Sequence, residues 1–107
     1  MMNKYGNIKV VTSDGIRHDS RREAARWSEL KVLEKCGAIR DLKRQVKFEV
    51  IPKQDGEKAC KYIADFVYVD TATGKTVVED CKGMRTEVYK IKRKLMLYIY
   101  GIRIKET

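Results

Sequence analysis

The run Tyr62-Ile63-Ala64-Asp65-Phe66-Val67-Tyr68-Val69 is almost wholly apolar and holds one carboxylate at its middle. A short apolar run bounded by turn residues marks a strand covered on both faces. The sequence therefore predicts a central strand from Lys61 to Asp70. Strict alternation puts Asp65 on the face of Ile63 and Val67. A carboxylate so placed costs free energy unless it is paired or holds a cation. A structural Asp, held by backbone N–H groups or an arginine, fits this strand as well as a functional one.

The next segment repeats the anomaly. Thr71 to Lys75, with Gly74, reads as a turn, and Thr76 to Lys82 as a strand. Alternation puts Val78, Asp80 and Lys82 on one face, and Val77, Glu79 and Cys81 on the other. So short a turn makes the two strands a hairpin, which brings Asp65 towards Asp80 and Lys82. Two carboxylates at close range repel unless a cation lies between them. Hard oxygen donors select Mg²⁺ or Mn²⁺. Lys82 would then orient or activate a water, or steady charge on a phosphate. A structural Asp80–Lys82 ion pair is the alternative.

Working outward, Ser20-Arg21-Arg22-Glu23 has the form of a capping box, and helix formers continue to Cys36 before Gly37. Glu23 falls on the helix face of Trp27, Leu30 and Leu33, the face expected to pack on the sheet. It is either the capping partner of Ser20 or a further metal or water ligand aimed at Asp65 and Asp80. Glu29 lies on another face and reads as a solvated charge. Before this helix, Asn7 to His18 reads as a hairpin around Asp14-Gly15. After it, Arg44 to Ile51 reads as a strand and Pro52 to Lys58 as a polar turn. Arg85 to Tyr100 reads as a helix closed by Gly101, with Val88, Ile91, Leu95 and Tyr98 at core spacing. Ile102 to Ile104 reads as a short last strand. The order predicts an α/β fold, a mixed central sheet flanked by helices, in a single domain over residues 1–107.

Composition narrows the function classes. The chain has 107 residues and a formal charge of +9, and from Lys82 onward eight Lys/Arg face two acids. A surplus this large points to a polyanion, with nucleic acid ahead of a merely basic soluble domain. One histidine and three cysteines without a C-x-x-C pair leave little for a His/Cys metal site, a disulfide framework or a His-based triad. Cys36, Cys60 and Cys81 read as small buried residues in a reducing compartment. No apolar run suggests a membrane span or a secretory leader, so a cytoplasmic protein is expected. On the second helix, Lys90, Arg93 and Lys94 share a face with Leu97 away from the core stripe, and can follow a phosphate backbone. Lys82, Gly83 and Arg85 link the carboxylates to that helix, and Arg21 and Arg22 add cations at the first. A solvated charged face is the plainer account of each.

Asp65, then Asp80-Cys81-Lys82 on the next strand, then a helix, resembles the D…(D/E)-x-K pattern of the PD-(D/E)xK nuclease superfamily, with Ala64 in place of the leading proline. His18-Asp19-Ser20-Arg21-Arg22-Glu23-Ala24, Tyr62 to Phe66 and Val77 to Lys90 resemble a family of small phage proteins described only as a domain of unknown function. The similarity spans nearly the whole chain. The layout is also similar to phage Holliday-junction resolvases of the endonuclease I type. The resemblance implies a restriction-endonuclease-like core with Glu23, Asp65, Asp80 and Lys82 as the catalytic set. Asp65, Asp80 and Glu23 would hold Mg²⁺ or Mn²⁺. Asp80 stands where Glu is commoner, which leaves Glu79 as the ligand if a bulge shifts the register. Gln45 resembles a polar position bordering the site in related nucleases, though Gln is also ordinary at a strand end. The expected function is cleavage of branched phage DNA by a homodimer in the host bacterial cytoplasm, with no small-molecule cofactor. A basic DNA-binding or recombination accessory protein that keeps the fold without cutting is the alternative.

Overall fold

A computed structural model describes residues 9–107 apart from Gly83. The chain order is β1 (Val10–Val11), β2 (Arg17–His18), α1 (Arg21–Lys35), β3 (Ile39–Ile51), β4 (Cys60–Asp70), β5 (Thr76–Asp80), α2 (Glu87–Tyr100) and β6 (Lys105–Glu106). β1 and β2 form a small antiparallel hairpin. The main sheet has the order β3-β4-β5-β6, antiparallel except for the parallel β5–β6 pair. This is the expected α/β arrangement of a mixed sheet with two helices. The apolar run Tyr62 to Val69 lies in β4, flanked by β3 and β5.

The local signals mostly hold. Ser20 caps α1 by accepting the Glu23 N–H, and Thr86 caps α2 by accepting the Tyr89 N–H. Gly101 ends α2 in the left-handed region at φ 67, where a residue without Cβ avoids a steric penalty. The Asp70–Lys75 turn closes β4 onto β5 through Asp70 N–H to the Lys75 carbonyl and Gly74 N–H to the Asp70 carbonyl. Among the described residues, no helix is long and apolar enough to cross a membrane.

Two apolar clusters pack the domain, one under each helix. Trp27 and Leu30 of α1 meet Ile39, Phe66 and Tyr68. Tyr89 and Met96 of α2 meet Val50, Tyr62, Ala64, Val78 and Ile104. In a regular strand Tyr62, Ala64, Phe66 and Tyr68 would share one face. Here the first two feed the α2 cluster and the last two the α1 cluster, so β4 changes allegiance across Asp65. The β3–β4 ladder pairs Arg44 with Phe66 and Val46 with Ala64 but skips the position between, where Gln45 has φ 54. That left-handed residue kinks the pair at the level of Asp65.

Four expectations are corrected. The second helix turns a different face to the sheet: Val88, Ile91 and Tyr98 are 61%, 57% and 87% exposed, and the anchors are Tyr89 and Met96. Hydrophobic spacing locates an apolar stripe but does not say which surface covers it. β3 begins at Ile39, not Arg44, because the left-handed Asp41 and Gln45 let the strand bend without ending. The last strand is Lys105–Glu106 and not Ile102–Ile104, since Ile102 and Ile104 turn into the α2 cluster. Cys36 is exposed at the α1 terminus, while Cys60 and Cys81 are half-buried. Residues 1–8, where the first hairpin was expected to begin at Asn7, and Gly83 lie outside the described residues.

Candidate active site

β5 stops pairing with β4 at the Phe66–Glu79 step, and the site forms just beyond it. Asp80, 2% exposed, lies beside Lys82, whose Nζ is 3.2 Å from Asp80 Oδ1. The Tyr62 hydroxyl donates to Asp80 Oδ2 at 2.5 Å. Burial, then the Asp80 carboxylate, raises the Tyr62 phenol far above its ordinary range, so it stays a donor. Lys82 Nζ also sits 4.4 Å from the centre of the Tyr89 ring, a cation–π contact that holds the ammonium over α2.

Asp65 completes the pair. Its Oδ2 accepts the Cys81 N–H at 2.8 Å, which locks the β4 carboxylate to the end of β5. Burial pushes the Asp65 carboxyl up to about 7, and the Asp80 and Glu23 charges push the same way, against the Cys81 N–H. Negative charge is therefore crowded at this point.

Glu23 reaches the same place from α1. It is buried, and its carboxylate does not fold back on Ser20 as a full capping box would require. Instead Gln45 Nε2 donates to Glu23 Oε1 at 3.2 Å and reaches Asp65 Oδ1 at 3.5 Å. The left-handed backbone at Gln45 aims this amide between the two acids. Arg44 and His18 close the far side, 4.0 and 3.8 Å from Glu23 Oε1. Arg22 donates to the Lys82 carbonyl at 2.8 Å and so ties α1 to the segment after β5.

Glu79 points elsewhere. Burial works to raise its carboxyl, but Arg26 and Tyr68 outweigh burial and hold it below the usual range. Arg26 Nε and Nη2 donate to Oε1 and Oε2 at 2.8 and 2.7 Å, and the Tyr68 hydroxyl donates to Oε2 as well. A carboxylate so committed sits in the α1 cluster, while Asp80 sits with Tyr62 and Lys82. Alternation along β5 is thus regular, and no bulge exchanges the two acids.

The sequence-predicted set Glu23, Asp65, Asp80 and Lys82 is brought together, with Gln45 among them. As their side chains stand, no three His, Cys, Asp or Glu groups among the described residues are gathered tightly enough for one ion. The cations divide. Arg85 and Arg93 both donate to Glu106, at 2.9 and 3.1 Å, and Lys90 pairs with Glu87 at 3.2 Å. Arg21 and Lys94 are exposed. A cleft of about 240 Å³ opens beside Asp80 and Lys82, lined by Tyr62, Ile63, Tyr89 and Lys92 among others.

Sequence reasoning missed Tyr62, Tyr89 and His18. Neither tyrosine carries a local signal of this role, and their hydroxyls find partners only in the folded chain. His18 is fully buried against Trp27, with Nε2 3.3 Å from Thr12 Oγ1 and Nδ1 without a hydrogen-bond partner among the described residues. Its place directly before the Asp19-Ser20 start of α1 was the available signal.

No curated protein and no solved structure matches the chain. A family model described as a protein of unknown function, DUF1064, matches residues 2–106, and the chain therefore belongs to that family.

Proposed function

We propose that this protein is a divalent-metal-dependent DNA endonuclease with a PD-(D/E)xK core, acting on branched or structured DNA. The observation that carries the reading is the meeting of Asp65, Asp80 and Lys82 where the β4–β5 ladder ends, with Glu23 joined to them through Gln45.

The donor set fits Mg²⁺ or Mn²⁺. It consists of carboxylate oxygens, the donors those ions prefer. Burial raises Asp65 first and the neighbouring acids add to it, and a cation among the acids relieves that repulsion. Asp65 and Asp80 would hold the ion, with Glu23 as the further oxygen donor. When bound, such an ion supplies Lewis acidity at a phosphate oxygen and a hydroxide near neutral pH.

The chain's own groups do the rest. Lys82 lies 3.2 Å from Asp80 and can orient a water or steady charge developing on a phosphate. Tyr62 and the Cys81 N–H fix one oxygen each of Asp80 and Asp65, so the acids need little reorganisation. Exposed cations, Arg21 and Arg22 near α1's start and Lys94 on α2, meet phosphates without reading bases. In-line attack of water would leave a 5′-phosphate and a 3′-hydroxyl. One site per chain and two strands to cut call for a homodimer.

A nicking assay on labelled four-way junctions, duplex, single strands and RNA tests the reading. Cleavage of the junction is expected with Mg²⁺ or Mn²⁺, and its loss by at least about a hundredfold in Asp80→Ala. DNA binding without cleavage in either metal would instead make this a basic accessory protein of recombination.

A further inference from the structure

The outer face of α2 carries an apolar stripe that the fold covers only in part, at Leu95, which packs against the α2 cluster. Val88, Ile91, Leu95 and Tyr98 follow one another at intervals of three, four and three residues. Val88, Ile91 and Tyr98 are 61%, 57% and 87% exposed, and Ile99 beside them 45%. The helix is already anchored to its own sheet by Tyr89 and Met96 on another side. Apolar surface left in water is unfavourable. Scattered exposed apolar residues need no explanation, but a continuous stripe along one helix does.

We propose that this stripe is a self-association surface, against which a second copy of the chain lays the same helix. The alternating intervals of three and four define the narrow seam by which one helix packs on another. A two-fold axis supplies the matching helix without any further partner. The charges beside the seam agree. With Val88 and Leu95 in the first seam position, and Ile91 and Tyr98 in the second, Glu87 and Lys92 flank it on opposite sides. In a parallel pair those flanking positions meet, so Glu87 of one copy faces Lys92 of the other. The Glu87 side chain is 86% exposed and free to turn from Lys90. Lys94 can lay its methylenes over Ile99.

Two heptads would be too short for isolated helices, but α2 is already built on the sheet, so pairing costs little ordering. A DNA backbone is met by cations, not by isoleucine and tyrosine. The parallel arrangement also places both Thr86 ends, and with them both Asp80–Lys82 pairs, at the same end of the seam, where Val88 and Lys92 border the cleft beside Asp80.

The surface is argued without the cleavage reading, and its test reads mass and not activity. Sedimentation equilibrium of the full chain should give a dimer at micromolar concentrations. Ile91→Glu and, as a milder variant, Tyr98→Ser should each weaken association at least about tenfold, with an unchanged circular dichroism spectrum. Glu87→Lys should weaken it too, and Glu87→Lys with Lys92→Glu should restore it. A wild-type monomer at ~100 µM overturns the proposal. So does a dimer indifferent to both seam variants, or a monomer that uses the stripe to bind anionic vesicles. Failure of the charge exchange to restore association overturns the parallel seam.

Discussion

Gln45 lies across the β3–β4 ladder from Asp65, and its left-handed backbone aims one amide at both Asp65 and Glu23. A non-glycine residue in that region costs on the order of 1 kcal/mol. The protein keeps the strain, and what it gains is the spacing of two acids from different elements.

Gln45→Gly relieves the backbone and removes the amide. These two effects oppose each other in stability, so the melting temperature should move by no more than the equivalent of about 1 kcal/mol. Junction cleavage should fall by about tenfold or more, because Glu23 and Asp65 lose their common tether. Parallel thermal melts and single-turnover rates check both halves.

Asp65 gives a pH dependence with a definite sign. Its carboxyl stands near 7 in the fold against 3.8 in the unfolded chain. Between those values the native state keeps a proton that the unfolded state has released. Metal-free stability therefore falls as pH rises from about 4 to about 7 and stays low above that range. Asp65→Asn removes the effect. Discounted for the residue's partial exposure, the variant should be more stable than wild type at pH 8 by about 1–2 kcal/mol without metal. Added Mn²⁺ should raise the wild-type melting temperature more at pH 8 than at pH 5, and leave Asp65→Asn nearly unmoved. Calorimetric scans across pH measure all three.

The Arg26–Glu79–Tyr68 cluster is predicted to be structural. Arg26→Met strands the fully buried Glu79 carboxylate with one hydroxyl donor. The cost should be about 2–4 kcal/mol in urea denaturation. Arg26→Met with Glu79→Leu should recover much of it. Below its melting point the double variant should keep its cleavage rate within a few-fold, which a Glu79 metal ligand would forbid.

Glu106 restrains two cations. The Tyr89 hydroxyl, with Arg85 and Arg93, holds its carboxyl down at about 2. Glu106→Gln should free both guanidinium groups to meet phosphates. DNA affinity should rise several-fold, and the log–log salt slope should steepen by about one to two units. Fluorescence anisotropy across a salt series reads the slope, and an unchanged slope would show that neither arginine faces DNA.

The sequence alone determined most of the elements, though not all their bounds, and pointed to the acid pair. Period-two patterning put Asp80 with Lys82 and apart from Glu79, and one short turn made β4 and β5 neighbours, which brought Asp65 towards Asp80. The helix wheel put Glu23 with Trp27 and Leu30. These follow from residues close in the chain, where backbone geometry fixes direction. Only the tertiary structure decided which face of α2 is covered, because Tyr89 and Met96 win that place by fitting the Tyr62–Val78 surface, not by being the most apolar stripe. It also decided that Gln45 is left-handed and that Tyr62 serves Asp80, 18 residues away. Such contacts depend on how packed layers meet, and no local period records that.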